Sequence, residues 1–356
     1  MKIAWLAAPI LLTVASGAAF ASDTQRELLV FGSAEVARAR DIDLDQTHID
    51  AEKIAADVLF SLQRNSFKVF GEYLLTNHEG DLERFQVGWE PSESSIVWIG
   101  RFHQASSVWN HEHHHGQFLQ TSVTRPASEE WEDEGGIIPQ HFVGALWESS
   151  WPAGFHTAFG GGIAPLLTDT GLEPFDLLKP NLSRHKFGAQ ARIAWQPHEL
   201  EETGIGLLYA HNEIGWRGPS PAGIPAFDHV DQDVLGVYGR YDTSNWKLQV
   251  ATYSVTTWFD GSNIVEGSHQ KFLVGYAQVE RDFSSGLALY LRHENTDDPD
   301  NSNYLRLFPE FVNRRSTFGT RWQFARSHAL TLEISQARQR SQDYKEFRLQ
   351  WSAALL

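Results

Sequence analysis

Two clusters of ionisable side chains sit in one stretch of the chain, residues 104–138, and each suggests a chemistry. The first is His111-Glu112-His113-His114-His115. Neutral imidazoles bind zinc, copper or nickel, and in an extended chain His111, His113 and His115 share one face. The spacing matches no closed structural site and no separate fixed ligand is identifiable. Polar loop structure is therefore the main expectation for the tract, with a transition-metal ion held by His111, His113, His114 and His115 as the alternative. The second cluster is Glu129-Glu130-Trp131-Glu132-Asp133-Glu134. A link this long is usually functional or disordered. If it folds inward against a basic wall, Glu129, Glu130, Glu132, Asp133 and Glu134 form one side of an electrostatic filter; otherwise the run is a solvated tip.

Catalytic signals are weak by comparison. Serine and histidine are plentiful, but no motif sets a nucleophile beside a base, and a G-x-S-x-G elbow is absent. The expectation is a protein that is not an enzyme and has no resident cofactor, apart from a metal at the histidine tract.

The elements that must position these clusters begin with an export signal. Lys2 supplies one positive charge, Ile3 to Val14 is apolar, and Ala15 to Ala21 is rich in small residues and ends in Ala19-Phe20-Ala21. That layout predicts a cleaved signal peptide over 1–21 and a mature chain over 22–356. The chain has no cysteine, so disulfides and thiolate chemistry do not arise. A formal charge of −16 makes nucleic acid a poor partner. Mean hydropathy is −0.35, yet the chain carries 13 Trp and 22 Phe. Few soluble proteins use so many; transmembrane barrels place them in girdles at the two membrane interfaces.

Period-two alternation recurs between turn signals along the chain. Phe85, Val87 and Trp89 alternate with Arg84, Gln86 and Gly88; Leu330, Leu332 and Ile334 alternate with Thr331, Glu333 and Ser335. Strands are predicted near 28–38, 55–64, 66–76, 81–89, 94–103, 139–150, 153–164, 186–196, 203–212, 232–242, 245–257, 270–281, 285–294, 313–325, 328–339 and 344–354. A β-sandwich shows the same period. Connection length separates the two: short turns alternate with long links at 104–138, 165–185, 213–231, 258–269 and 295–312. The predicted fold is all-β, a transmembrane antiparallel up-and-down β-barrel of about 16 strands with both termini on the short-turn side.

In this layout the sequence resembles the Gram-negative outer-membrane porins. The resemblance rests on the signal, the strand number and one outsized loop after the fifth strand. It implies that loop 104–138 folds into the lumen and narrows it, its acids facing basic side chains on the wall. Alternation nominates Arg84, Arg192, Arg292, Arg315, Arg321 and Arg348 for the lumen face. The chain departs from the family pattern in ending Ala354-Leu355-Leu356 where an aromatic residue is usual, and in its scarcity of lysine, which argues against phosphate selectivity.

The expected function is passive diffusion of small hydrophilic solutes or ions through a mildly cation-selective channel in the outer membrane. Its partners would be membrane lipids, and the assembly that goes with the resemblance is a homotrimer. The alternative is a barrel that serves as scaffold or sheath for a partner protein, electron-carrying or metal-handling, with the histidine tract at the contact.

Overall fold

The computed structural model describes residues 24–355 except 45, 46, 48, 79, 106, 107, 114, 115, 198–202, 219–223, 225, 262–268 and 341. The expected signal, 1–21, lies outside them. Sixteen strands form the barrel: β1 (Thr24–Arg40), β2 (Glu52–Arg64), β3 (Phe67–Thr76), β4 (Gly80–Ser92), β5 (Ser95–His103), β6 (His141–Trp151), β7 (Phe155–Ile163) and β8 (Phe187–Trp195) make the first half. The second half is β9 (Gly204–Gly215), β10 (His229–Asp242), β11 (Trp246–Asp260), β12 (Gln270–Asp282), β13 (Leu287–Thr296), β14 (Val312–Ala325), β15 (His328–Gln339) and β16 (Gln342–Ala354). Each strand pairs antiparallel with its sequence neighbours, and β1 pairs with β16 to close the ring.

The alternation accounts for the architecture. On β4, Phe85, Val87 and Trp89 are exposed while Arg84 and Gln86 are buried. On β9, Ile205 and Leu207 are exposed while Leu208 and Ala210 are buried. A wall whose outer face is apolar suits lipid, and a closed ring pairs its backbone N–H and C=O groups, as lipid demands. A bulge refines this on β4. Glu72 pairs with Arg84 and Tyr73 with Leu82, leaving Glu83 as the extra residue. Glu83 and Arg84 are consecutive yet both buried.

Glycine is structurally required across β5 to β8. Gly100, Gly144, Gly162 and Gly188 pair in one cross-strand row. A Cβ on Gly144 would lie 2.1 Å from the Gly161 carbonyl oxygen, and one on Gly162 2.2 Å from that of Val143. The wall approaches itself there as only side-chain-free backbone allows.

Connections on one side are short, at 65–66, 93–94, 152–154, 196–203, 243–245, 283–286 and 326–327. The other side carries the long ones, although only 77–79 and 340–341 separate the strands they join there. The strands outrun their expected ends: β9 continues to Gly215 and β10 starts at His229, in register. Backbone pairing extends these stems past the apolar alternation that marks them in sequence. Within 104–138 lie a six-residue helix, Val108–His113, and two 3-10 turns, Ala127–Glu129 and Glu132–Glu134.

The main apolar core lies inside the barrel. Trp109, Ile137 and Ile138 of the long loop pack with Val230, Val234, Tyr253 and Tyr276 of β10 to β12. Tyr304, Phe308 and Phe311 of the 297–311 link join them. Each such side chain contributes about 1.5–3 kcal/mol on burial, which is what draws the loop inward.

Candidate functional site

The long loop leaves β5 at His103 and returns at His141, and these two residues face each other across the strand pair. Between them the chain crosses to β13, eight strands round the ring. Ala127 donates its amide to Glu294 at 2.6 Å. Val123 and Thr124 donate theirs to Glu333 on β15 at 3.0 and 3.3 Å, and the Thr124 hydroxyl adds a bond of 2.5 Å. Arg292 donates to the Thr124 carbonyl at 2.8 Å and to the Ser122 hydroxyl at 3.1 Å. Arg321 donates to the carbonyls of Phe118, at 2.7 Å, and Gln120. Arg315 donates to the Arg125 carbonyl and to Glu294 at 2.7 Å.

A buried loop must satisfy its own backbone, and the guanidinium fork, with five donors, is suited to that work. This alters the expected picture of six arginines facing the loop acids across an opening. Arg292 and Arg321 lie beneath the loop and bond its carbonyls. Arg84 pairs with Glu72, its guanidinium 4.4 Å above the Phe70 ring. Arg192 is half-buried on the inner face of β8. Arg315 is fully buried against the Arg125 carbonyl at the edge of the cavity, and Arg348 borders the cavity paired with Glu35.

The loop carboxylates take four different positions. Glu129 is fully buried and accepts from the Tyr253 hydroxyl of β11. Glu132 accepts the amides of Gln140 and His141 at 2.5 and 2.8 Å and pairs with the His141 ring at 2.9 Å. Burial opposes its ionisation, but the His141 charge and these bonds prevail and hold it below the usual carboxylate range. Glu134 pairs with Lys53 of β2. Glu130 is different: burial first, then the charge of Glu134, pushes its carboxyl up to about 8. The side chain of Asp133 lies outside the described residues.

Of the histidine tract, His113 is described. Its ring meets Trp109 edge-on at 4.9 Å, and burial, reinforced by the charge of Arg125, pushes its imidazole down to about 3. The side chain of His111, and His114 and His115 as a whole, lie outside the described residues. Arg125 stacks on Trp131 at 4.6 Å and donates to Asn110 at 2.5 Å; burial lowers it from its ordinary value.

Beside the loop a cavity of about 550 Å³ remains, bounded by residues of β1 to β6, β14 and β16. Its carboxylates are Glu35, Asp50, Asp81, Glu83, Glu130, Glu134 and Glu310; its Lys and Arg residues are Lys53, Arg101, Arg125, Arg315 and Arg348. Several are already paired: Arg348 with Glu35 at 2.6 Å, and Arg101 with Asp81 at 3.2 Å and Glu83 at 3.6 Å. The anchors Tyr253, Glu294 and Glu333 are not among the site residues that the sequence nominates. Glu333 shows a trace there, as a charge held between Leu332 and Ile334.

No family model matches the chain, and no curated protein matches it by sequence. Solved structures do. OmpF of Salmonella typhi, in a complex with daunomycin, is similar over 92% of this chain and 97% of its own, with 11% identity and a TM-score of 0.61. OmpT of Vibrio cholerae, an outer membrane protein, is similar over 93% and 97%, with 10% identity and a TM-score of 0.59. The outer membrane channel DcaP of Acinetobacter baumannii is similar over 93% and 97%, with 11% identity and a TM-score of 0.58. At such identities the likeness is one of fold, and a 16-stranded barrel with an apolar outer wall fits an outer membrane. The chain has the fold of the Gram-negative outer-membrane porins, a closed barrel of sixteen antiparallel strands.

Proposed function

We propose that the protein is an outer-membrane channel through which small hydrophilic solutes and ions diffuse passively, narrowed by the 104–138 loop. The observation that carries this reading is the polar cavity left between the anchored loop and the β1–β5 wall. Water and polar side chains can replace a small solute's hydration shell there, whereas the β10–β12 half of the interior is packed with apolar side chains. The reading is of a channel without catalysis.

The charge balance around the cavity turns on Glu130. Seven carboxylates face five Lys and Arg residues and the charged His141, and Glu130 stays largely protonated at neutral pH. An acid-rich ring favours cations, and here the acidic excess, a single charge, develops as Glu130 loses its proton. The sheath for a partner protein is the weaker reading, because the loop is fastened across the lumen to Glu294 and Glu333 and occupies space that such a partner would have to thread. Ion selectivity in planar bilayers under a potassium chloride gradient tests the proposal. It expects discrete steps and a reversal potential of the sign for weak cation preference. Absence of steps from folded protein overturns the channel, and an anion-selective potential overturns the preference.

A further inference from the structure

We propose that the outer wall of the barrel carries a divalent-metal site, formed by His211 and Glu213 of β9 with Asp231 of β10 and suited to a transition ion of the zinc class. One ligand atom from each of the three lies within 4.8 Å of the others. The three point away from the lumen. His211 and Glu213 alternate with Ala210, Asn212 and Ile214, which are buried, and continue the exposed face of Leu207 and Tyr209; Asp231 stands between the buried Val230 and Gln232. Register makes the cluster compact, since Glu213 stands directly opposite Asp231 and His211 directly opposite Asp233.

Two features argue for a cation. Like charges directly opposite on paired strands destabilise the pairing, so Glu213 against Asp231 is a costly choice without a counter-ion. Among the described residues the ion-pair partners of this patch are histidines: His211 with Asp233, and His229 with Asp231 and Asp260. Independently, His211 is set up as a ligand. Its Nδ1 lies 2.8 Å from Asp233 Oδ1, and the Tyr209 hydroxyl donates to the same oxygen at 2.9 Å. A carboxylate that accepts a hydrogen bond from Nδ1–H fixes the tautomer and leaves the Nε2 lone pair for a metal, the arrangement that supports most metal-bound histidines. One imidazole and two carboxylates suit zinc and its neighbours. Three protein ligands leave a position open to solvent or to a headgroup oxygen.

The site is separate from the loop histidines and from the cavity. It stands just beyond the apolar outer residues Leu207 and Leu235, so occupancy would brace the β9–β10 stem and leave the channel as it is.

Zinc titration of the folded, detergent-solubilised full chain tests it, in a background where the loop histidines 111 and 113–115 are replaced by asparagine. The expected result is a single saturable zinc per chain and a zinc-dependent rise in melting temperature. Affinity should fall about 10- to 100-fold in Asp233→Asn, which removes only the orienting carboxylate, and further in His211→Ala and in Glu213→Gln/Asp231→Asn. Conductance of all variants should match the parent, which shows that the barrel has folded. Equal zinc affinity in parent and variants overturns the proposal, as does zinc binding that disappears with the loop histidines alone.

Discussion

Glu333 accepts both the backbone amide and the hydroxyl of Thr124, residues 209 positions apart in the chain. One carboxylate on β15 thus fixes the middle of a loop rooted at β5 and β6. Tyr290 donates to the same carboxylate at 2.7 Å, so Glu333 is held from the wall side as well. A loop anchored this way is a fixed part of the lumen.

Removing that anchor should loosen the loop. Glu333→Ala deprives two buried amides and two hydroxyls, those of Thr124 and Tyr290, of their acceptor, a loss of about 1–3 kcal/mol or more for groups left unsatisfied. The expected outcome is a larger and noisier open-channel current with the barrel still folded by circular dichroism. Current indistinguishable from the parent would show that Glu333 does not hold the loop.

Glu130 should make the channel pH-sensitive. Its carboxyl is pushed up to about 8 by burial and by Glu134, so the lumen gains a negative charge as pH rises through that value. Cation preference, read as reversal potential, should strengthen across this range in the parent and stay flat in Glu130→Gln. The stability sign follows from the same shift. Between the ordinary glutamate value of 4.5 and about 8 the folded form holds a proton the unfolded form has lost, so this group's contribution declines with rising pH in that window. Glu132, held below the usual range, acts the opposite way, and its contribution fades only in acid.

Cysteine reactivity maps the loop directly, because the chain has no cysteine of its own. Glu134→Cys, at a side chain 29% exposed beside Lys53, should react rapidly with a small hydrophilic thiol reagent and reduce conductance. Glu129→Cys, at a position with 0% exposure, should react slowly. The reverse order would mean that the acidic run points elsewhere.

The glycine row gives a prediction about the wall. Gly162→Ala places a Cβ 2.2 Å from the Val143 carbonyl oxygen, and that neighbour is backbone. A cost of about 1–3 kcal/mol is expected from such overpacking, seen as a lower melting temperature in detergent. Gly239→Ala, whose Cβ would meet nothing nearer than 3.6 Å, should be close to neutral.

Strand after strand was legible because a lipid-facing wall imposes period two: Phe85-Val87-Trp89 and Leu330-Leu332-Ile334 can face outward in only one register. Strand ends were less legible. His229, Asp231 and Glu213 break the apolar alternation while the backbone ladder continues beneath them. The loop's position was expected from its length and aromatics, but its fastenings were not readable. Arg292 and Arg321 bond backbone carbonyls, which leave no mark in a sequence, and Tyr253 meets Glu129 across 124 positions. The six-residue helix Val108–His113 is too short to show a period. The outer-wall cluster has a faint signature, His211-x-Glu213 followed by Asp231-x-Asp233, visible only once β9 and β10 are known to pair.

The central claim, a channel narrowed by the 104–138 loop, is tested most directly by single-channel conductance of the parent beside a variant in which residues 108–138 are replaced by a short Gly-Ser link. The account predicts small discrete steps for the parent and severalfold larger ones for the variant, whose lumen loses its main obstruction. Equal conductance in the two, with both barrels folded, would contradict it.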